Sequence, residues 1–304
     1  MIDLSVEVAG IRMQNPILVA SGTFGCGEEY SPLLDVGRLG ALVTKGITLK
    51  PWQGNKPPRI CETPAGLLNA VGLQNPGVDA FIHEILPVMK GYGVPVIANI
   101  AGFTKEEFVE IAKRLTGAGV DGLEINISCP NVKSGGMALG TVPELAAEVV
   151  EAVVESTSLP VIVKLTPNVT DIVALARAVT DAGASALSLI NTLLGMAIDI
   201  KSRRPVLGNV LGGLSGPAIR PVAVRAVWQV SQAVDVPVIG MGGICRGEDA
   251  LEFILAGATA VAVGSAHFRD PLAAMKIISY LESYCEENGI NDWQKLIGAA
   301  WKNK

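Results

Sequence analysis

Histidine is almost missing from this chain, since only His83 and His267 occur in 304 residues. Both fall in helical or late-loop contexts, so a Ser/His/Asp triad has no support and the two are read as structural. Cysteine is sparse and unpaired. Cys26, Cys61, Cys129, Cys245 and Cys285 are odd in number, widely separated and without a CxxC pair, so neither a disulfide framework nor a zinc or iron–sulfur site is written here, and no metal is expected. Positive charge is not in excess: 24 Lys and Arg stand against 29 Asp and Glu, a net charge of -5 that offers nucleic acid no basic patch. No apolar run approaches the roughly 18 residues of a membrane span. The opening MIDLSVEVAG lacks the basic and apolar regions of a signal peptide, so a cytoplasmic location with no membrane partner is expected.

What the chain does have is apolar content and punctuation. Hydrophobic residues make up 49% and charged residues 17%, with 34 glycines and 18 prolines scattered at element boundaries, the composition of a compact α/β enzyme. Short β-branched runs recur at 16–21, 41–46, 94–100, 122–128, 159–165, 186–191, 236–243 and 260–265. Between most of them lie amphipathic helical patterns, such as TKEEFVEIAKRLTGAG, which opens on the capping-box pair Thr104 and Glu107 and closes at Gly117 and Gly119. This alternation means parallel strands with right-handed crossovers, and eight units predict a closed (β/α)8 TIM barrel, one domain over residues 1–304. Residues 3–13 resemble a small hairpin ahead of the first barrel strand. Residues 48–79 form a long Pro/Gly-rich excursion, and NVKSGGMALGTVPE forms another. Insertions of that length on the C-terminal face of a barrel are usually functional.

A period-two reading of the fourth strand separates Leu123, Ile125 and Ile127 from Glu124, Asn126 and Ser128, with the polar face directed into the barrel. The same reading sends Ile162, Lys164 and Thr166 inward from the fifth strand, and Leu187, Leu189 and Asn191 inward from the sixth. Polar groups therefore collect at the strand ends: Ser21, Lys45, Asn99, Asn126, Cys129, Lys164, and Asn191 with Thr192. That rim is where barrels of this kind build their active sites. After the seventh and eighth strands, Gly242, Gly243, Gly264 and Ser265 leave backbone N–H groups free to face a phosphate, so a phosphate-bearing cofactor is implied. No GxGxxG opens a helix after a strand, so a Rossmann nicotinamide site is not visible. The lysines could form a Schiff base, neutralise a carboxylate or face a reduced flavin. The Cys129 thiol could act as a general base or be an inert buried group.

NISCPN at 126–131, TPAGLLNAVGLQNPG at 63–77, VTKGIT at 43–48, VKLTPN at 163–168 and GMGGI at 240–244 together resemble the catalytic subunit of class 1 dihydroorotate dehydrogenases, in order and over essentially the whole chain. The resemblance implies an FMN-bearing barrel that oxidises dihydroorotate to orotate in pyrimidine biosynthesis. It implies that Cys129 is the base that takes the C5 proton, with Lys45 and Lys164 as further catalytic groups, Lys164 favouring the anionic reduced flavin. It further implies that Lys45, Asn69, Ala70, Val71, Gly72, Leu73, Asn126, Asn191 and Thr192 hold the substrate. FMN would contact Ser21, Lys45, Gly46, Asn99, Asn126, Lys164, Ile190, Gly216, Gly242, Gly243, Gly264 and Ser265.

Within the family, ETPAGLLNAVGLQNPG and NVKSGGMALGT look like the soluble form that passes electrons to NAD through a second subunit carrying FAD and a [2Fe-2S] cluster, in a heterotetramer around a homodimer core. The membrane-associated class, with its serine base and N-terminal extension, resembles this chain less. The alternatives are a fumarate-linked form of the enzyme and another FMN barrel acting on dihydropyrimidines. A tRNA dihydrouridine synthase is disfavoured by acidity. A Schiff-base lyase would leave Cys129 and the asparagines idle, and a noncatalytic scaffold would explain none of the rim.

Overall fold

The structure, a computed structural model, describes residues 2–127 and 139–302. Eight short parallel strands close into a barrel: β1 (Ile17–Val19), β2 (Ala41–Val43), β3 (Val96–Ile100), β4 (Gly122–Asn126), β5 (Val161–Lys164), β6 (Ala186–Leu189), β7 (Val238–Met241) and β8 (Ala260–Val263). Neighbours follow chain order all the way round, β8 pairing with β1 and β5 with β6. The fold is therefore the expected (β/α)8 barrel. Its strands are covered on both faces, which is why they read as nearly continuous apolar runs rather than clean alternation.

The helices form the outer layer. Helix Lys105–Thr116 buries Phe108, Ile111, Ala112 and Leu115, one face of a 3.6-residue period, and Thr104 caps it by accepting from the Glu107 amide. Helix Gly247–Ala256 packs so closely that a Cβ on Gly240 of β7 would come within 2.6 Å of its Phe253 ring. No helix among the described residues is long and apolar enough to cross a membrane.

Before the barrel, Val6–Val8 and Ile11–Met13 form the expected antiparallel hairpin. The Pro/Gly-rich excursion after β2 is more ordered than its composition implied. Ile60–Thr63 and Gly66–Asn69 make a hairpin, which joins Gly212–Ser215 and Leu193–Gly195, from the segment after β6, in a four-stranded antiparallel sheet. Two insertions separated widely in sequence thus share one sheet over the C-terminal end of the barrel.

The period-two expectation holds for Glu124 and Asn126 of β4, with Ser128 outside the described residues, and for β5; in β6 it fails at Leu187 and Leu189, while Asn191 reaches the cavity as expected. Ser188 Oγ donates to Glu124 Oε2 at 3.0 Å, so Ser188 faces the barrel interior and Leu187 and Leu189 face the helices. Leu and Ser carry little local signal about which face is inside when both faces are buried. The Leu189–Ile190 peptide is cis, and both Ile190 and Asn191 beyond it line the cavity described below.

Candidate active site

A cavity of about 530 Å³ opens at the C-terminal ends of the strands, inside the roughly 300–1,000 Å³ usual for small-molecule sites. Its walls come from the barrel rim and from the inserted sheet. Ser21 after β1, Lys45 and Gly46 after β2, Asn126 at the end of β4, Lys164 at the end of β5, and Ile190, Asn191 and Thr192 after β6 all line it. Asn69 through Leu73 reach it from the inserted hairpin, and Gly216 from the sheet edge. Gly242, Gly243, Gly264 and Ser265 close the far end. Among the described expected residues Asn99 is the exception, fully buried beside Gly46 rather than in the cavity wall.

The far end is built for an oxygen-rich group. Gly243 has φ +77, and a Cβ there would sit 2.8 Å from the Gly216 carbonyl oxygen and from Arg220 Cβ. Only glycine fits that approach, which leaves peptide groups rather than side chains at the cavity surface. Arg220 stands behind this turn, paired with Asp249 and Glu252. In the next loop His267 is buried against Phe24 and Tyr30 with its Nδ1 on the Gly264 carbonyl, and burial lowers its pKa to about 4. His267 is a structural, neutral imidazole under the glycine end, as its sequence context suggested.

Amides dominate another part of the wall. Asn191 Nδ2 lies 3.5 Å from Asn126 Oδ1, and Asn191 Oδ1 accepts from the Thr192 amide at 2.8 Å. Asn168, itself in the cavity wall, fixes the same segment, donating to the Thr192 carbonyl at 3.0 Å and accepting from the Leu194 amide at 2.8 Å. Asn69 Nδ2 donates to the Gly213 carbonyl, tying the two insertions together at the cavity edge. The turn that follows holds Leu73 at φ +60, a left-handed conformation that a branched residue adopts only when its surroundings impose it. Asn75 imposes it: its Nδ2 donates to the Leu73 carbonyl at 2.7 Å and to Thr48 Oγ1 at 2.8 Å, and its Oδ1 accepts from the Gly77 and Thr48 amides. Sequence reasoning passed over Asn75 and Asn168, whose only signal was an amide beside a proline.

The floor holds a buried polar network. Glu124 accepts from Asn99 Nδ2 and Ser188 Oγ, and Lys164 Nζ lies 3.6 Å from its Oε1. Lys45 projects across Gly22, where a Cβ would come within 3.0 Å of its Nζ. Two cations, several amides and a peptide-lined pocket suit a planar ligand with many carbonyl and N–H groups, joined to a phosphate.

The described residues fit the flavin that the resemblance implies. Asn99 Oδ1 is buried without a partner beside Gly46, and Gly242, Gly243 and Gly264 line the cavity with backbone and no side chain. Cys129 lies outside the described residues. Of the four described cysteines none lines the cavity, and burial pushes the thiols of Cys26, Cys245 and Cys285 up, so none of these three is an activated base. No cluster of three metal-ligating side chains occurs among the described residues.

A family model described as dihydroorotate dehydrogenase matches residues 3–284. A protein of Geotalea uraniireducens named dihydroorotate dehydrogenase B (NAD(+)), catalytic subunit, is 61% identical over 298 residues, covering 98% of each chain. Proteins of the same name from Desulforudis audaxviator and Desulforamulus reducens are 61% identical over 297 residues (97% of each chain) and 58% identical over 300 residues (98% of this chain, 99% of the other). The chain therefore belongs to the dihydroorotate dehydrogenase family and is an oxidoreductase of that family.

Proposed function

We propose that the chain is the FMN-bearing catalytic subunit of a two-component enzyme, oxidising (S)-dihydroorotate to orotate in pyrimidine biosynthesis and sending the electrons to NAD through a separate FAD and iron–sulfur subunit. The observation that carries the reading is the convergence of a glycine-built phosphate end with Lys45, Asn126, Lys164 and Asn191 in one cavity. The names of the relatives, which specify NAD(+) and a catalytic subunit, support the division of labour.

On this reading the oxidation removes two hydrogens and leaves a C5=C6 double bond. Cys129, three residues beyond Asn126, takes the C5 proton as thiolate. Bound FMN supplies the acceptor for the C6 hydride. Gly216, Gly242, Gly243, Gly264 and Ser265 would hold its phosphate end, while Ser21, Gly46, Asn126, Ile190 and Lys164 would surround its ring, with Asn99 buried behind Gly46. Lys45 and the amides of Asn69, Asn126 and Asn191, with Thr192 and the Ala70–Leu73 turn, orient the carboxylate and the cyclic amide edges of the substrate. The assembly is a homodimer core with two partner subunits in the cytoplasm.

Reconstitution tests this. Dihydroorotate-dependent NADH formation is expected when the purified chain is combined with its FAD and iron–sulfur subunit, and not from the chain alone. Full turnover of the isolated chain with fumarate would overturn the NAD-linked assignment.

A further inference from the structure

Beneath the cavity sits an acid to which the proposed reaction gives no role. Glu124 lies on β4 two residues before Asn126, with its side chain 2% exposed. Three strands supply its partners. Asn99 on β3 is level with it and donates to Oε1, Ser188 on β6 donates to Oε2 at 3.0 Å, and Lys164 on β5, level with Ser188, places Nζ 3.6 Å from Oε1. A carboxylate only accepts, so the amide nitrogen of Asn99 is committed to it and Oδ1 is left facing Gly46. Taking an ionised carboxylate out of water costs several kcal/mol unless a cation stands beside it. A glutamine would satisfy Asn99 and Ser188 equally well, so these hydrogen bonds alone do not account for a charge here.

We propose that Glu124 is a positioning residue that holds and partly cancels the Lys164 ammonium, and so lowers the reduction potential of the flavin bound above it. This rests on the flavin reading of the cavity given above. An unopposed ammonium at the floor favours the anionic reduced ring over the neutral oxidised one and raises the potential. A compensating carboxylate weakens that preference. Electrons that must go on to NAD, a weak oxidant, leave more readily from the lower-potential site.

The test measures midpoint potentials and FMN dissociation constants of the FMN-loaded wild-type protein, Glu124→Gln, Lys164→Gln and the double variant, by anaerobic dye-equilibrated titration. Glu124→Gln is expected to favour reduced over oxidised FMN by about tenfold more than wild type, a positive shift of about 30 mV for a two-electron couple. Lys164→Gln is expected to shift negative, and the double variant to return toward wild type. A merely structural role would move thermal stability and leave the potential in place. An unchanged or negative shift in Glu124→Gln overturns the proposal. Should that variant not retain flavin, the double variant decides: a potential above that of Lys164→Gln supports the proposal, and an equal one overturns it. A wild-type chain that takes up no flavin overturns the underlying reading as well, whereas flavin uptake with no charge effect overturns the role of Glu124 alone.

Discussion

Asn191 and Asn126, 65 positions apart in sequence, bring their side-chain amides to 3.5 Å at the cavity wall. Asn168 holds the Asn191–Thr192 segment from within the cavity wall, and strand pairing sets Asn126 level with Lys164. The pair is therefore presented to a ligand by rigid elements on both sides, the arrangement that gives an amide its discriminating value.

Asn191→Ala is expected to weaken orotate binding by about 5- to 150-fold, from the roughly 1–3 kcal/mol lost when a buried ligand group is left without its partner. FMN content should stay at the wild-type level. Orotate titration followed by flavin absorbance measures both, and unchanged orotate affinity would remove Asn191 from the substrate site.

Cys129→Ala should retain FMN and bind orotate, yet slow the reduction of flavin by dihydroorotate about 100- to 10,000-fold, the usual loss with a general base. Stopped-flow anaerobic mixing reads this directly. A rate within a few-fold of wild type would rule out the thiol as the base.

Gly243→Ala tests the phosphate end. At φ +77, with the Gly216 carbonyl 2.8 Å from the added methyl carbon, the turn must open. Left-handed strain of about 1–3 kcal/mol translates into FMN binding weaker by roughly 5- to 150-fold. Flavin-to-protein stoichiometry after gel filtration should fall, with the barrel still folded by circular dichroism. Full stoichiometry would move the phosphate elsewhere.

The buried His267 predicts a pH dependence of stability. Its pKa is lowered to about 4 in the folded chain from an ordinary value near 6.5. Between those values the unfolded chain binds the proton and the folded chain does not, so stability is greatest above about pH 6.5 and falls as pH drops toward 4. The contribution is at most about 3 kcal/mol. Denaturant titrations of wild type and His267→Gln at several pH values should converge as pH falls through this window. Parallel curves would show that His267 does not titrate there.

How legible the molecule was in its sequence depended on the range of the interactions. The barrel could be read because each βα unit is local: an apolar run, a turn, a capped amphipathic helix such as Lys105–Thr116. The rim could be read because polar residues at apolar strand ends are locally anomalous, as with Asn126 and Lys164. The sheet over the cavity could not, since Leu68 pairs with Leu214 across a gap no local pattern reports. The inward face of β6 was misjudged because Ser188 is recognisable as interior only through Glu124, on another strand. Glu124 itself was placed on the inner face correctly, but its partners Asn99, Lys164 and Ser188 become neighbours only when the barrel closes.

The most direct test of the central claim is anaerobic mixing of the purified, FMN-loaded chain with dihydroorotate, following the visible flavin absorbance, then adding NAD to the same cuvette. Bleaching that NAD alone does not reverse, followed by reoxidation once the partner subunit is added, is the predicted result. An FMN-loaded chain that dihydroorotate does not bleach would contradict the account.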